Sequence, residues 1–247
     1  MAQWHHIKHT APSGNSIHAE ISKGNGPSFI LVPGTWGNAQ TRPPLIEHLN
    51  PNINLICVSL AGQDDNWPPP QTPSISQFSE DIISLADTLG LEQFYVGGNS
   101  LGGMIAIDML QYGPNRILGA IAIEGWTHHS VSKSAFQSDT SSTLNHTQRT
   151  YLQHVRNKLL NRWEPNLKTT YSTMWKKWDG WQILNTTQIP VLEIWGDRAR
   201  PQPSLEQMHI PNRKNIQLAW IPNTSHNLLL EAPEQLPQLI NHFTQHP

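Results

Sequence analysis

Cysteine is nearly absent from this chain of 247 residues. Cys57 stands alone, which excludes an intrachain disulfide and any multi-cysteine metal site. It lies in the apolar run Asn54-Leu-Ile-Cys-Val58, where a buried, inert thiol is expected. Charge is scarce as well: 16 Lys and Arg face 18 Asp and Glu, for a formal net charge of −2, and charged residues are 14% of the whole. A nucleic-acid binder that relies on phosphate contacts carries a basic excess or stripe, and neither exists here. A disordered, solvating chain has high net charge and few large apolar residues. This one is 37% hydrophobic with ten Trp, enough to bury a core and line a pocket. No run approaches the roughly 18 apolar residues of a membrane span. The opening residues MAQWHHIKHT lack the apolar stretch of a secretory signal, so a chain of the reducing cytoplasm is expected. Length favours one domain with a single core, free of nucleic-acid or membrane partners.

What the chain does contain is a succession of short apolar runs. Ser28 to Val32, Asn54 to Leu60, Phe94 to Val96 and Val191 to Trp195 read as strands buried on both faces of a parallel sheet. Ile117 to Ile123 and Ile216 to Ile221 have the same character. Between them, Ile75 to Leu89 places Ile75, Phe78, Ile82, Leu85, Ala86 and Leu89 at helical spacing, with Gly90 as a stop. Leu101 to Tyr112 and Pro233 to Phe243 read as further helices. Strands alternating with helices predict βαβ units and an α/β fold with a mostly parallel central sheet. From Gly125 to about Thr187 the composition turns polar and Trp-rich, with a helical stretch at Thr147 to Trp163. An excursion of about 60 residues is too long for an ordinary connection and predicts a helical lid. The expected organisation is a core of residues 1–125 and 188–247, with a lid at 126–187 after the sixth strand. His5, His6 and His9 form a terminal cluster read as solvated surface.

The strongest chemical signal is Gly98-Asn99-Ser100-Leu101-Gly102, set between the strand ending near Val96 and the helix from Leu101. That is the context of a G-x-S-x-G nucleophile elbow. The sharp turn lifts a serine above the sheet, leaves no room for side chains at the flanking glycines, and aims helix N–H groups at a developing oxyanion. The competing reading is a Gly-rich strand-to-helix turn without chemistry. A serine hydroxyl needs a base. Of 13 histidines, His226 in Pro222-Asn-Thr-Ser-His-Asn227 follows the last strand, so its loop opens at the carboxyl edge of the sheet beside Ser100.

With these residues in that order the chain resembles the α/β-hydrolase superfamily from about Ser28 to its last helix. The resemblance implies a serine hydrolase of the carboxylic-ester type; the sequence offers no metal constellation, and no cofactor is expected. Pro33-Gly34-Thr35-Trp36-Gly37 stands where the family's oxyanion loop usually reads His-Gly, and Pro33 replaces that His. The implied oxyanion donors are the Thr35 and Leu101 backbone N–H groups, with Trp36 nearby. Many members carry the acid in Trp-Gly-x-x-Asp after the penultimate strand. Here the stretch is Trp195-Gly196-Asp197-Arg198-Ala199, and Ala199 stands at the acid position. Three explanations compete: Glu124 at the end of Ile117 to Ile123, Asp197 in its own loop, or an Ala199 that replaces a native Asp. Paired with Arg198 or Arg200 on an exposed loop, Asp197 has an equally simple structural reading.

Trp126 and His128 follow a core strand and are candidates for the pocket wall, together with Trp36. Trp175, Trp178 and Trp181, three apart, predict an aromatic ridge on one helix that either packs the lid or walls a pocket for a hydrophobic or aromatic small molecule. Absence of a Walker-type or ribose-binding motif argues against a nucleotide cofactor. Hydrolysis of a small ester, lactone or related acyl compound is the expected activity. Two rivals use the same scaffold: a cofactor-independent dioxygenase or lyase working through a His-acid pair, and a ligand-binding module with residual hydrolysis. The sequence leaves substrate identity and oligomeric state open.

Overall fold

A computed structural model describes residues 4–39, 44–137 and 143–245. Eight strands form one sheet: β1 (Trp4–Thr10), β2 (Ser16–Ser22), β3 (Ser28–Val32), β4 (Asn54–Ser59), β5 (Phe94–Asn99), β6 (Ile117–Ile123), β7 (Val191–Gly196) and β8 (Ile216–Ile221), in spatial order β1-β2-β4-β3-β5-β6-β7-β8. From β4 across to β8 every pairing is parallel, while β1 and β2 form an antiparallel hairpin added to the β4 edge. The parallel strands are the apolar runs of the sequence; β3 to β7 are buried on both faces as that topology demands, while the edge strand β8 is only partly buried.

The helices are α1 (Ile75–Thr88), α2 (Leu101–Asp108), α3 (Val131–Ser134), α4 (His146–Leu160), α5 (Pro165–Thr173), α6 (Trp181–Thr186), α7 (Leu228–Glu231) and α8 (Gln235–Gln245). Ser74 caps α1 by accepting from the Gln77 N–H at 3.1 Å, and Ile75, Phe78, Ile82 and Leu85 bury its inner face. One apolar cluster packs α1 and α2 against one face of the sheet, and a second packs α8 against the other. Between β6 and β7 lie α3 to α6, an inserted helical segment. No helix among the described residues is long and apolar enough to cross a membrane.

Three expectations change. Of the histidines read as solvated surface, His5 and His6 are exposed on β1, while His9 is half-buried and bonds Ser84 Oγ at 2.9 Å. The helix expected over Leu101 to Tyr112 stays α-helical to Asp108 and tightens into a 3-10 turn at Met109–Tyr112. The tryptophan ridge does not lie on one helix. Trp175 is in a 3-10 turn, Trp178 is extended and Trp181 begins α6 after Gly180, where a Cβ would lie 2.5 Å from the Trp178 ring.

Candidate active site

Ser100 sits between β5 and α2 with φ 56° and ψ −116°, a strained conformation for a residue with a Cβ. The turn closes so tightly on the end of β3 that a Cβ at Gly98 would lie 2.2 Å from the Val32 carbonyl oxygen, and one at Gly102 2.1 Å from the same atom. As the sequence anticipates, a Cβ at Gly98 would also lie 2.9 Å from the Gly102 backbone across the turn, but the tightest clash is with the end of β3. Leu101 opens α2, so its N–H has no acceptor within the helix. Thr35 stands opposite, on a loop held by Gln63, whose side-chain amide donates to the Gly34 and Thr35 carbonyls at 3.0 and 3.2 Å. Both Thr35 and Leu101 line a small cavity with Ser100, Trp126 and Trp175.

His226 lies in the loop after β8 and faces a larger cavity of about 270 Å³ that Ser100, Thr35 and Trp36 also line. Among the described residues the hydroxyl and the imidazole share that cavity without a hydrogen bond to each other. Three contacts fix the histidine loop. Asn99, one residue before the serine, donates to the His226 carbonyl at 3.3 Å, and the Glu231 carboxylate accepts from the Ser225 N–H and hydroxyl, both at 2.7 Å.

The carboxylate that reaches the imidazole belongs to Glu124. Its Oε2 lies 3.1 Å from His226 Nδ1 and accepts from Arg198 Nη2 at 2.7 Å. Its Oε1 accepts from Arg198 Nη1 at 3.0 Å and from the Gly196 N–H at 2.8 Å. Glu124 is fully buried, with φ 52°, in a left-handed turn at the end of β6. Burial pushes its carboxyl pKa up, but the hydrogen bonds and charges of His226 and Arg198 outweigh that and hold it below the ordinary 4.5. The acid is therefore ionised where it meets the imidazole.

Asp197 is placed elsewhere. Its Oδ1 accepts the Ala199 and Asn223 N–H groups at 2.8 and 2.7 Å, so it shapes the β7 loop. Of the two arginines expected near Asp197, Arg198 is committed to Glu124 and stacks 3.9 Å from the centre of the Phe136 ring. Ala199 carries φ 55° in the same loop. Arg198 is the site residue that the sequence did not single out. A basic residue two positions after Trp-Gly, where the usual acid is missing, was the available signal.

Trp36 lines the larger cavity and packs against Trp163 and Tyr171, at ring separations of 5.4 and 5.5 Å. Trp126 lies 5.6 Å from the His226 ring and 5.3 Å from Trp175. His128 is not brought to either cavity. Its Nδ1 lies 2.8 Å from Ser130 Oγ and its ring is 4.0 Å from His129 and 5.1 Å from His209. The backbone bridge between His128 and Asp179 turns it to that side.

A family model described as the alpha/beta hydrolase fold matches residues 27–180. The "Putative carbamate hydrolase RutD" of Agrobacterium fabrum is 25% identical over 115 residues, which are 45% of this chain and 44% of that protein. The match thus spans less than half the length of this curated relative. Among solved structures, the enol-lactonase from Burkholderia xenovorans superposes with a TM-score of 0.77 at 16% identity, covering 97% of this chain and 100% of that one. The carboxylesterase CesB from Bacillus subtilis gives 0.72 at 21% identity, covering 98% and 91%. At these identities the superpositions establish a shared fold.

Proposed function

The chain belongs to the alpha/beta hydrolase fold family, and from that premise we propose that it is a serine hydrolase that cleaves a small ester, lactone or related acyl compound. The observation that carries the proposal is the His226–Glu124 pair, an imidazole 3.1 Å from a buried, ionised carboxylate, on the wall of a cavity shared with the strained Ser100. A hydroxyl at a strained elbow, a base in the same cavity and an acid that fixes the base's tautomer are the parts of acyl transfer.

In the proposed reaction the Ser100 oxygen attacks the substrate carbonyl carbon as His226 Nε2 takes the hydroxyl proton. Glu124 accepts the hydrogen bond from Nδ1–H and stabilises the imidazolium. The Leu101 and Thr35 N–H groups receive the oxyanion, each donor worth about 3 kcal/mol in the transition state. As the tetrahedral intermediate collapses, His226 returns its proton to the departing oxygen, leaving an acyl-Ser100 ester. Water, activated by the same imidazole, then releases the acid. Trp36, Leu152, Val155 and Leu230 offer the acyl chain an apolar cavity, and the helical segment over it serves as a lid. Neither the carbamate named for RutD nor the enol-lactone named for the Burkholderia enzyme lies outside this chemistry, since both present an acyl carbon to a nucleophile.

Ser100→Ala should lower turnover of 4-nitrophenyl acetate by at least about a thousandfold while the protein stays folded. Wild-type turnover in that variant would overturn the nucleophile. If activity on a natural substrate instead survives Ser100→Ala but is lost in His226→Ala, proton abstraction by the His-Glu pair replaces acyl transfer.

A further inference from the structure

On the far edge of the sheet, His6, His18 and Glu20 converge. His6 on β1 is the direct cross-strand partner of Glu20 on β2, and His18 lies two residues before Glu20 on the same strand, so all three side chains project from one face of the hairpin. One donor atom of each residue lies within 4.8 Å of those of the other two. His6 Nδ1 and Glu20 Oε1 are 3.5 Å apart, close to the edge of a tetrahedron with metal–ligand bonds of about 2.1 Å. The two imidazole rings are 5.9 Å apart. The Glu20 side chain is 3% exposed, whereas that of His6 is 59% exposed, so the cluster pairs a fixed, buried oxygen with a ring free to adjust from solvent.

We infer that His6, His18 and Glu20 form a binding site for a divalent transition ion of the Zn²⁺ class, separate from the Ser100 cavity. Two imidazole nitrogens and one carboxylate oxygen are a borderline-soft donor set that suits Zn²⁺, Ni²⁺ or Cu²⁺ and not Ca²⁺ or Mg²⁺. Three protein ligands leave a fourth position for water. The surrounding charge is mixed. Asp64, which accepts from Ser59 Oγ at 2.6 Å, has its carboxyl pKa pushed up by burial and is drawn down only in part by the Ser59 hydrogen bond and by His18, while Lys8 is paired directly across from His18 on the same face and is exposed to solvent. Two ligands come from β2 and one from β1, so the ion would clip the edge strand to its neighbour. An edge strand otherwise depends on a single ladder. Binding to the folded hairpin, in which these groups are preassembled, raises stability by mass action.

The test is calorimetric titration of the full chain with Zn²⁺ alone at pH 7.5, alongside thermal unfolding with Zn²⁺ or EDTA. One saturable equivalent is expected, with a higher melting temperature in Zn²⁺, and His6→Ala and His18→Ala should each weaken it by more than about tenfold, the lower end of what loss of an outer-shell partner alone causes. His128→Ala should bind as wild type does. Because His6 is exposed, its replacement leaves the fold intact even if a Glu20 variant fails to fold. No saturable binding in the wild type, or an unchanged isotherm in the His6→Ala/His18→Ala double variant, would overturn the site. Turnover of 4-nitrophenyl acetate should be the same in His6→Ala as in the parent chain, which separates this outcome from failure of the hydrolase assignment.

Discussion

Glu124 makes two commitments with one carboxylate: it receives the imidazole and it neutralises a buried guanidinium. Glu124→Gln keeps the shape but presents an amide, which favours the wrong tautomer of His226. A loss in kcat of about 10³–10⁴-fold is expected, read on the same chromogenic ester. The variant also leaves the Arg198 charge buried without its counter-ion, a change of the kind that costs about 3–5 kcal/mol, so its melting temperature should fall too. Wild-type kcat would remove Glu124 from the site. The pH dependence has a definite sign. Because Glu124 is held below 4.5 in the folded protein, its contribution is complete above that value and is lost as the pH falls through its folded pKa. Glu193 behaves oppositely. Fully buried beside Trp195, whose indole N–H donates to Oε2 at 3.2 Å, it is pushed up to about 8 by burial first and by the Glu124 charge as well. The folded state then holds a proton that the unfolded chain gives up between pH 4.5 and 8, and stability declines over that window by up to about 1.4 kcal/mol per pH unit. Glu193→Gln should flatten the melting-temperature profile between pH 5 and 8, and an unchanged slope would place the proton elsewhere. At this scale Ser100 could be proposed from a local motif and His226 from the place of its loop after the last strand. Glu124 could be named only as one of three explanations, since its union with His226 spans 102 residues. The role of Arg198 depends on a left-handed φ of 53° and on the pairing of β6 with β7, neither of which has a sequence signature.

At the scale of the element, the elbow is a contact between β5, α2 and the end of β3. Gly102→Ala would drive a methyl group into the Val32 carbonyl at 2.1 Å, with backbone and not a flexible side chain as the obstacle. A destabilisation of about 2–3 kcal/mol is expected, roughly 5–10 °C in melting temperature, accompanied by reduced turnover as Ser100 shifts. Wild-type melting would mean that α2 slides away from β3 at no cost. The parallel strands were readable because burial on both faces leaves near-continuous apolar runs. The β1-β2 hairpin was not, because its apolar residues lie on one face only: Ile17, Ala19 and Ile21 are buried there, while half-buried His18 and buried Glu20 project from the other, and the polar residues disguise the strand. The 3-10 turn at Trp175 and the extended Trp178 escaped for a related reason. Spacing by three fits a helix, but Trp178 is drawn to Asp108 on the body, its indole N–H donating to Oδ1 at 2.8 Å.

Across the whole molecule, the larger cavity exists only because the inserted helices lie over the sheet edge. Gln148 on α4 donates to the Leu230 carbonyl at 2.7 Å, and Thr143 Oγ1 donates to Glu231, the residue that also shapes the histidine loop. Trp163 is 7% exposed and packs on Trp36 and Trp67, joining the insertion to the loop after β3. Helix α4 thereby lines the cavity through Leu152 and Val155, together with Ser100 and Thr35. If that wall sets the length of acyl chain that fits, replacing Val155 by Trp should fill much of the space and discriminate by size without touching the chemistry. Each methylene in an apolar pocket is worth about 1–3 kcal/mol of discrimination, so kcat/KM for a 4-nitrophenyl octanoate should fall more than about tenfold while the acetate ester changes little. The comparison needs both substrates on the same preparation, because a misfolded variant would lose both. Parallel losses would mean that Val155 supports the fold and that the acyl chain lies elsewhere. A selective loss of the longer ester would place it against α4, and make the insertion the part of this protein that chooses its substrate.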